Sequence, residues 1–324
     1  MTRFGYALSS EEHGPRDLVR NAARAEEAGF EFALISDHFH PWIERHPHSP
    51  FVWGVLGAIA QATDRLVVGT GVTCPTTRIH PAIIAQAAAT AADLMPGRSF
   101  LGVGTGENLN EHILGDAWPE WDVRAEQLEE SIEVIRALWS GSMVSHRGRH
   151  FRVQNARLYS LPESIPPIRV AASGAKMAEM AGRIGDGLIS TAPEADILKA
   201  YEMAGGSGAR IGQVTMCWAD SEAKARETAL TWWPTAALHG EVMQELPNPS
   251  QFTDLVKDVT EDQVAKVITC GPDVEPHVAA IKKFLDAGYD HVYVHQVGPD
   301  QEGFFEFAQR ELLPRLREVS AVPA

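Results

Sequence analysis

Cysteine is scarce and scattered. The 324 residues hold three, Cys74, Cys217 and Cys270, far apart and outside any metal-ligand spacing. Neither a disulfide framework nor a metal site is implied. No apolar run reaches the roughly 18 residues a membrane helix needs, and no secretory or twin-arginine leader opens the chain. The reading is therefore a cytoplasmic protein with no membrane partner. Positive charge is also short: 28 Lys and Arg face 43 Asp and Glu, for a net charge of −15. Such a field disfavours nucleic acid as a partner. It also requires that any anionic ligand be held by local donors. Low-complexity and linker-like stretches are missing, so nothing divides the chain. The first strand-like run is followed by Ser9-Ser10-Glu11-Glu12-His13 rather than by a glycine-rich dinucleotide turn.

Short apolar runs and helical periods alternate in what remains. The strand-like runs are residues 4–8, 31–35, 66–70, 99–103, 168–172, 187–191, 211–217 and 291–295. Between and after them, helical periods cover 15–28, 51–62, 81–94, 122–139, 175–184, 221–231, 274–287 and 302–319. Pro15 suits the first turn of its helix, Gly29 the end, and Ser221 an N-cap. Residues 143–153, with Gly148 in the middle, read as a β-hairpin. Residues 232–257 carry three prolines and weak periodicity, and read as an inserted lid-like segment. Strands buried on both faces and alternating with helices predict an α/β fold, one (β/α)8 TIM-barrel domain over 1–324 with insertions. An open doubly wound sheet is the alternative, weakened by the missing glycine-rich turn.

In such a barrel the residues just after each strand share one rim. Glu11 follows strand one. Asp37, His38 and Trp42 follow strand two, in Ser36-Asp37-His38-Phe39-His40-Pro41-Trp42, where Pro41 stops any helix. Strand four leads into Gly104-Thr105-Gly106-Glu107, a small turn with a carboxylate where backbone can approach a planar ligand. Strand five leads into Ser173-Gly174-Ala175-Lys176, whose free N–H groups and helix dipole suit a phosphate. The other reading of these groups is ordinary turn and helix-start chemistry. A random placement would scatter them between both ends of the barrel. His40, His46 and His48 gather near His38, but their irregular spacing does not describe a metal site. The Trp232-Trp233 pair either lines an apolar pocket or packs a helix end.

Taken together, these residues resemble the F420-dependent dehydrogenases of the bacterial luciferase-like superfamily, in the glucose-6-phosphate dehydrogenase branch. The resemblance covers nearly the whole chain. It is carried by Ser36-Asp37-His38-Phe39 with Pro41-Trp42, by residues 80–86, by residues 100–107 with Leu109-Asn110-Glu111, and by residues 181–187. It implies coenzyme F420 as cofactor and a homodimer. It implies that Asp37, Asn110 and the Gly71-Val72 bulge hold the deazaflavin ring, with a non-proline cis peptide at the bulge. Thr105 and Gly106 match cofactor contacts, and Cys74 replaces a threonine that touches the cofactor. Ser173, Gly174, Lys176 and Met177 fall on the loop that takes the cofactor phosphate. His38, Trp42 and Glu107 match the catalytic set, and Glu11 an accessory acid.

The resemblance also locates a departure. Glucose-6-phosphate enzymes of this kind hold the sugar phosphate with three cations, and those positions here are Glu194, roughly Met243, and Val267. Only Thr191, matching a sugar-contacting threonine, is kept. A phosphate dianion beside Glu194 would be repelled and unpaired. The expected reaction is hydride transfer between a carbinol carbon and the deazaflavin, on an alcohol or sugar-like small molecule without phosphate. His38 would serve as base, with Trp42 as donor to the developing alkoxide and Glu107 as proton carrier. Rival readings are an FMN-dependent monooxygenase of the same superfamily and a non-catalytic deazaflavin-binding protein.

Overall fold

The computed structural model describes residues 2–320. Eight parallel strands close on themselves: β1 (Arg3–Leu8), β2 (Phe32–Ile35), β3 (Val67–Thr70), β4 (Ser99–Val103), β5 (Ile168–Ala171), β6 (Gly187–Ser190), β7 (Ala209–Cys217) and β8 (His291–Gln296). Sequence neighbours pair in turn, and β8 returns to β1 with Phe4 opposite Val292 and Tyr6 opposite Val294. The fold is thus the expected (β/α)8 barrel and not an open sheet. A two-residue strand, Thr269–Cys270, extends the sheet beside the upper part of β7, with Cys270 opposite Cys217.

Helices α1 (Pro15–Ala28), α2 (Val52–Ala62), α3 (Pro81–Leu94), α4 (Trp121–Trp139), α5 (Ala175–Ile184), α6 (Ala195–Met203), α7 (Glu222–Trp232) and α8 (Val274–Ala287) clothe the barrel. Local chemistry sets their ends. Pro15 opens α1, and the Gly29 N–H closes it on the carbonyls of Ala25 and Glu26. The Ser221 hydroxyl accepts the Lys224 N–H at the start of α7.

Strands β2 and β6 are buried at every position, as strands covered on both faces must be. The barrel interior is filled by Phe32, Leu34, Phe100, Ile189, Ile211 and Tyr293. These rings need small partners on neighbouring strands. A Cβ on Gly5 would fall 2.6 Å from the Phe32 ring, and one on Gly69 would fall 2.3 Å from Phe100. The interior is consequently a plug rather than a pore.

Some elements differ from the sequence reading. Helix α6 was not expected: it is short, and only Ile197, Leu198 and Tyr201 are buried along it. The terminal helix is not continuous. It runs as Gln301–Phe307, widens into a π turn over Ala308–Leu312, and resumes as Leu313–Ser320. Pro314 lacks the N–H that would bond Arg310, which accounts for the widening. Residues 232–257 break into a 3-10 turn, Pro234–Ala237, and short helices Val242–Glu245 and Pro249–Leu255. Fully buried Phe252 anchors this segment against Ile43 and Leu109, beside Trp42. Among the described residues no helix is long and apolar enough to cross a membrane.

Candidate active site

A cavity of about 620 Å³ opens at the C-terminal ends of the strands. The loops after β1, β2 and β4 bring Glu11, His38 and Glu107 into one line there. His38 Nδ1 lies 3.3 Å from Glu11 Oε1 and 3.3 Å from the His40 carbonyl oxygen. Both partners are acceptors, so Nδ1 carries the hydrogen and Nε2 keeps its lone pair. Nε2 faces Glu107, 4.0 Å from Oε2. The Trp42 ring sits beside the imidazole, centroids 5.2 Å apart, and is backed edge-on by Phe252 at 5.4 Å. Glu11 is buried, which alone would raise its pKa. The His38 charge and the Ser36 hydroxyl, donating at 2.6 Å, outweigh that and hold the carboxyl below its usual value. It is therefore an anionic partner that orients His38.

Asn110 ties the two loops together. Its Oδ1 accepts the N–H groups of Phe39 at 2.9 Å and His40 at 3.2 Å, while its Nδ2 donates to Glu107 Oε2 at 3.2 Å. Asp37 lines the cavity, but both its oxygens are engaged by the protein. Thr73 donates to Oδ2 at 2.7 Å and Arg78 to Oδ1 at 2.9 Å. Arg78 also reaches Glu111: its backbone N–H donates to Oε2 at 2.7 Å, and its Nε lies 3.6 Å from Oε1. Thr73 stands on the rim just after β3, but nothing local marks its bond to Asp37, and Arg78 carried no signal in the sequence.

Burial pushes the Glu111 carboxyl up to about 7, against the opposing pull of Arg78 and with help from Glu107 and Asp37. An acid raised in the folded state binds its proton more tightly there than in the unfolded chain. Its contribution is complete below the unfolded value near 4.5 and lost as pH rises towards about 7. Between those limits this group should cost about 1.4 kcal/mol of stability per pH unit. Glu111→Gln should flatten that slope, as read by denaturant melts across the window. An unchanged slope would show that Glu111 ionises normally.

Small residues form one wall of the cavity: Gly71, Val72, Gly104, Thr105, Gly106 and Ala171. The Gly71–Val72 peptide is cis. Gly106 has φ +80°, and a Cβ there would fall 2.7 Å from Cys74 Sγ, so a side chain is excluded on both counts. Cys74 itself is buried, with Sγ 3.0 Å from the Thr76 hydroxyl. Such a wall lets a planar ring approach backbone closely. Ser173 and Met177 continue the lining at the start of α5. Gly174 and Lys176 lie outside it; Lys176 extends over the Trp121 ring at 5.2 Å. A phosphate at that helix start would thus sit at the rim.

On the opposite side Thr191, Met243 and Val267 line the cavity, but Glu194 does not. Glu194 is exposed and precedes α6 as its N-cap residue, so it cannot repel a phosphate from within the cavity. The charge argument survives in another form. The lining contains Glu11, Asp37, Glu107 and Glu111 and, among the described residues, no lysine or arginine. Residues 232–257 supply Trp233, Thr235, Leu238, His239 and Gln244 as well as Met243. Trp233 lines the cavity, and both indoles pack on the small cluster that holds Ala225 and Ala229, so the pair serves both roles. His46 stacks on Trp233 at 5.0 Å, and no cluster of His, Cys, Asp or Glu among the described residues is arranged to hold a metal ion. Gln213, Thr215, Tyr293 and His295 were read only as strand residues, yet they complete the lining from β7 and β8.

This barrel, with its acid-histidine-acid line facing a wall of small residues, defines an α/β enzyme-like site of the luciferase-like class. A sequence profile of the luciferase-like monooxygenase family matches residues 1–291. The chain is 38% identical to the F420-dependent glucose-6-phosphate dehydrogenase of Amycolatopsis mediterranei, over 98% of this chain and 99% of that one. It is 37% identical to that of Nakamurella multipartita, over 97% and 96%. Among solved structures, an F420-dependent secondary alcohol dehydrogenase in complex with an F420-acetone adduct superposes with a TM-score of 0.90 at 29% identity, covering 98% and 99% of the two chains. The chain belongs to the bacterial luciferase-like family.

Proposed function

We propose that this protein is an F420-dependent oxidoreductase that moves hydride between the carbinol carbon of an unphosphorylated alcohol or sugar-like compound and the deazaflavin. The observation that carries the reading is the Glu11–His38–Glu107 line, with a free Nε2 aimed into the cavity. The likeness to F420-dependent dehydrogenases supports the cofactor and the hydroxyl substrate. Bound F420 supplies a ring carbon that exchanges hydride.

The chain's own residues supply the rest. His38 Nε2 takes the hydroxyl proton, and Glu11 stabilises the imidazolium that results. The Trp42 indole shields this proton from water. Glu107 stands within reach of His38 Nε2 as the proton carrier, and Asn110 fixes it there. Gly71, Val72, Thr105 and Gly106 would receive the ring, with Asp37 and Asn110 fixing the loops beside it and Cys74 packed beneath Gly106. Ser173, Gly174, Met177 and Lys176 would take the phosphate end. Thr191, Met243 and Val267 would face the substrate, and residues 232–257 act as its lid over one barrel domain. We read the protein as cytoplasmic and as a homodimer. The half-exposed Ile83 and Leu94 of α3 are candidate contacts, and a one-chain mass in solution would count against pairing.

Titration should show F420 bound more tightly than FMN, and alcohol-dependent loss of F420 absorbance. Stronger FMN binding with oxygen-dependent turnover would establish the monooxygenase reading instead. Binding of F420 without turnover on any alcohol would favour a carrier.

A further inference from the structure

The consecutive carboxylates Glu11 and Glu12 each hold a histidine. Glu11 holds His38, and Glu12 holds His295 at the end of β8. Only the first pair enters the reaction proposed above. His295 is 2% exposed and lines the same cavity. Its Nε2 lies 2.8 Å from Glu12 Oε2, and the Gly298 N–H donates to Glu12 Oε1, also at 2.8 Å. Burial would raise Glu12, but the hydrogen bonds from His295 and the Gly298 N–H outweigh it and hold the carboxyl below its usual value. Glu12 is therefore an acceptor, so the hydrogen of His295 sits on Nε2 and Nδ1 presents a lone pair. That Nδ1 is buried and has no partner among the described residues. Buried polar atoms without partners are rare and call for one.

The imidazole is not free to turn away. The edge of Trp233 packs on it with centroids 4.4 Å apart, and Trp233 is in turn stacked on His46. Directly across the sheet, Thr215 of β7 is in register with His295 and also lines the cavity. An unpartnered lone pair and a threonine hydroxyl on the same cavity lining match a group that both donates and accepts, which is what a hydroxyl does.

We propose that the Glu12–His295 pair, with Thr215, is a binding subsite for a second hydroxyl, and that the substrate is a neutral polyhydroxylated compound rather than a simple alcohol. This rests on the reading of the cavity as a hydroxyl-oxidising site. His295 is on this proposal a specificity residue: it anchors the part of the substrate that does not react.

The test compares cyclohexanol with the 1,2-, 1,3- and 1,4-cyclohexanediols, followed by F420 absorbance. At least one diol should show kcat/KM about tenfold or more above cyclohexanol, through KM. His295→Asn should raise KM for that diol far more than for cyclohexanol. Equal loss with both substrates, or turnover of cyclohexanol with no advantage for any diol, would overturn the subsite and leave the dehydrogenase reading standing. A second measurement needs neither turnover nor a variant. In protein labelled with 15N-histidine, the His295 Nδ1 resonance should shift on titration with the diol and stay in place with cyclohexanol. A resonance unmoved by every diol overturns the proposal. Absence of F420 binding and turnover, with the resonance still responding to diols, would instead bring down the reading of the reaction.

Discussion

Replacing His38 by alanine should lower kcat by about 10² to 10⁴, the usual cost of losing a general base. The direction follows from the hydrogen placement. Glu11 and the His40 carbonyl occupy Nδ1, which leaves Nε2 as the imidazole lone pair in the cavity. Glu107 cannot replace it, because its carboxylate is already held by Asn110 and stands 4.0 Å behind Nε2. Cofactor affinity should change little, since the wall from Gly71 to Gly106 does not depend on the imidazole. Glu11→Gln tests the supporting role: it keeps the shape, removes the charge that stabilises the imidazolium, and should lower kcat less than His38→Ala does. Near-normal turnover in His38→Ala would make the residue structural.

Arg78→Met should destabilise the fold by about 3–5 kcal/mol, the cost of stranding buried charge. Arg78 is a cation shared between two buried acids, 2.9 Å from Asp37 and 3.6 Å from Glu111, with all three side chains almost wholly out of solvent. Methionine fills similar space but leaves both acids unpaired beneath the cavity. Without Arg78 the Glu111 carboxyl, already raised to about 7, stays protonated at pH 7. The double variant Arg78→Met with Asp37→Asn should therefore recover part of the loss, because the stranded charge is gone. Denaturant unfolding at pH 7 reads all three proteins. A change below about 1 kcal/mol for the single variant would mean that solvent reaches the pair and screens it.

The contrast between His38 and Arg78 marks what the sequence makes legible. His38, Trp42, Glu107 and Glu11 stand just past apolar runs, and the barrel alone brings such positions to one rim. Helices such as α3 and α5 were legible to the residue, because proline, glycine and a regular apolar period set their limits. Arg78 has no such marker: its partners lie 41 and 33 residues away, and nothing local records the pairing. His295 was legible as the end of a strand, but its bond to Glu12 spans 283 residues. Glu194 shows the opposite error. Its place after β6 puts it near the rim, yet which way a side chain leaves a loop depends on the helix that follows, and α6 was not seen.

Phe32 on Gly5, Phe100 on Gly69, and Tyr293 stopper the barrel from below, which leaves the loop side as the way into the cavity. Two guests must share it and form a queue. Whichever lies deeper along the wall from Gly71 to Ala171 arrives first and departs last, while the compound under residues 232–257 comes and goes above it. The stopper, remote from the chemistry, thereby imposes an order on traffic through the enzyme. Product-inhibition patterns would record that order, and random entry would mean a second door.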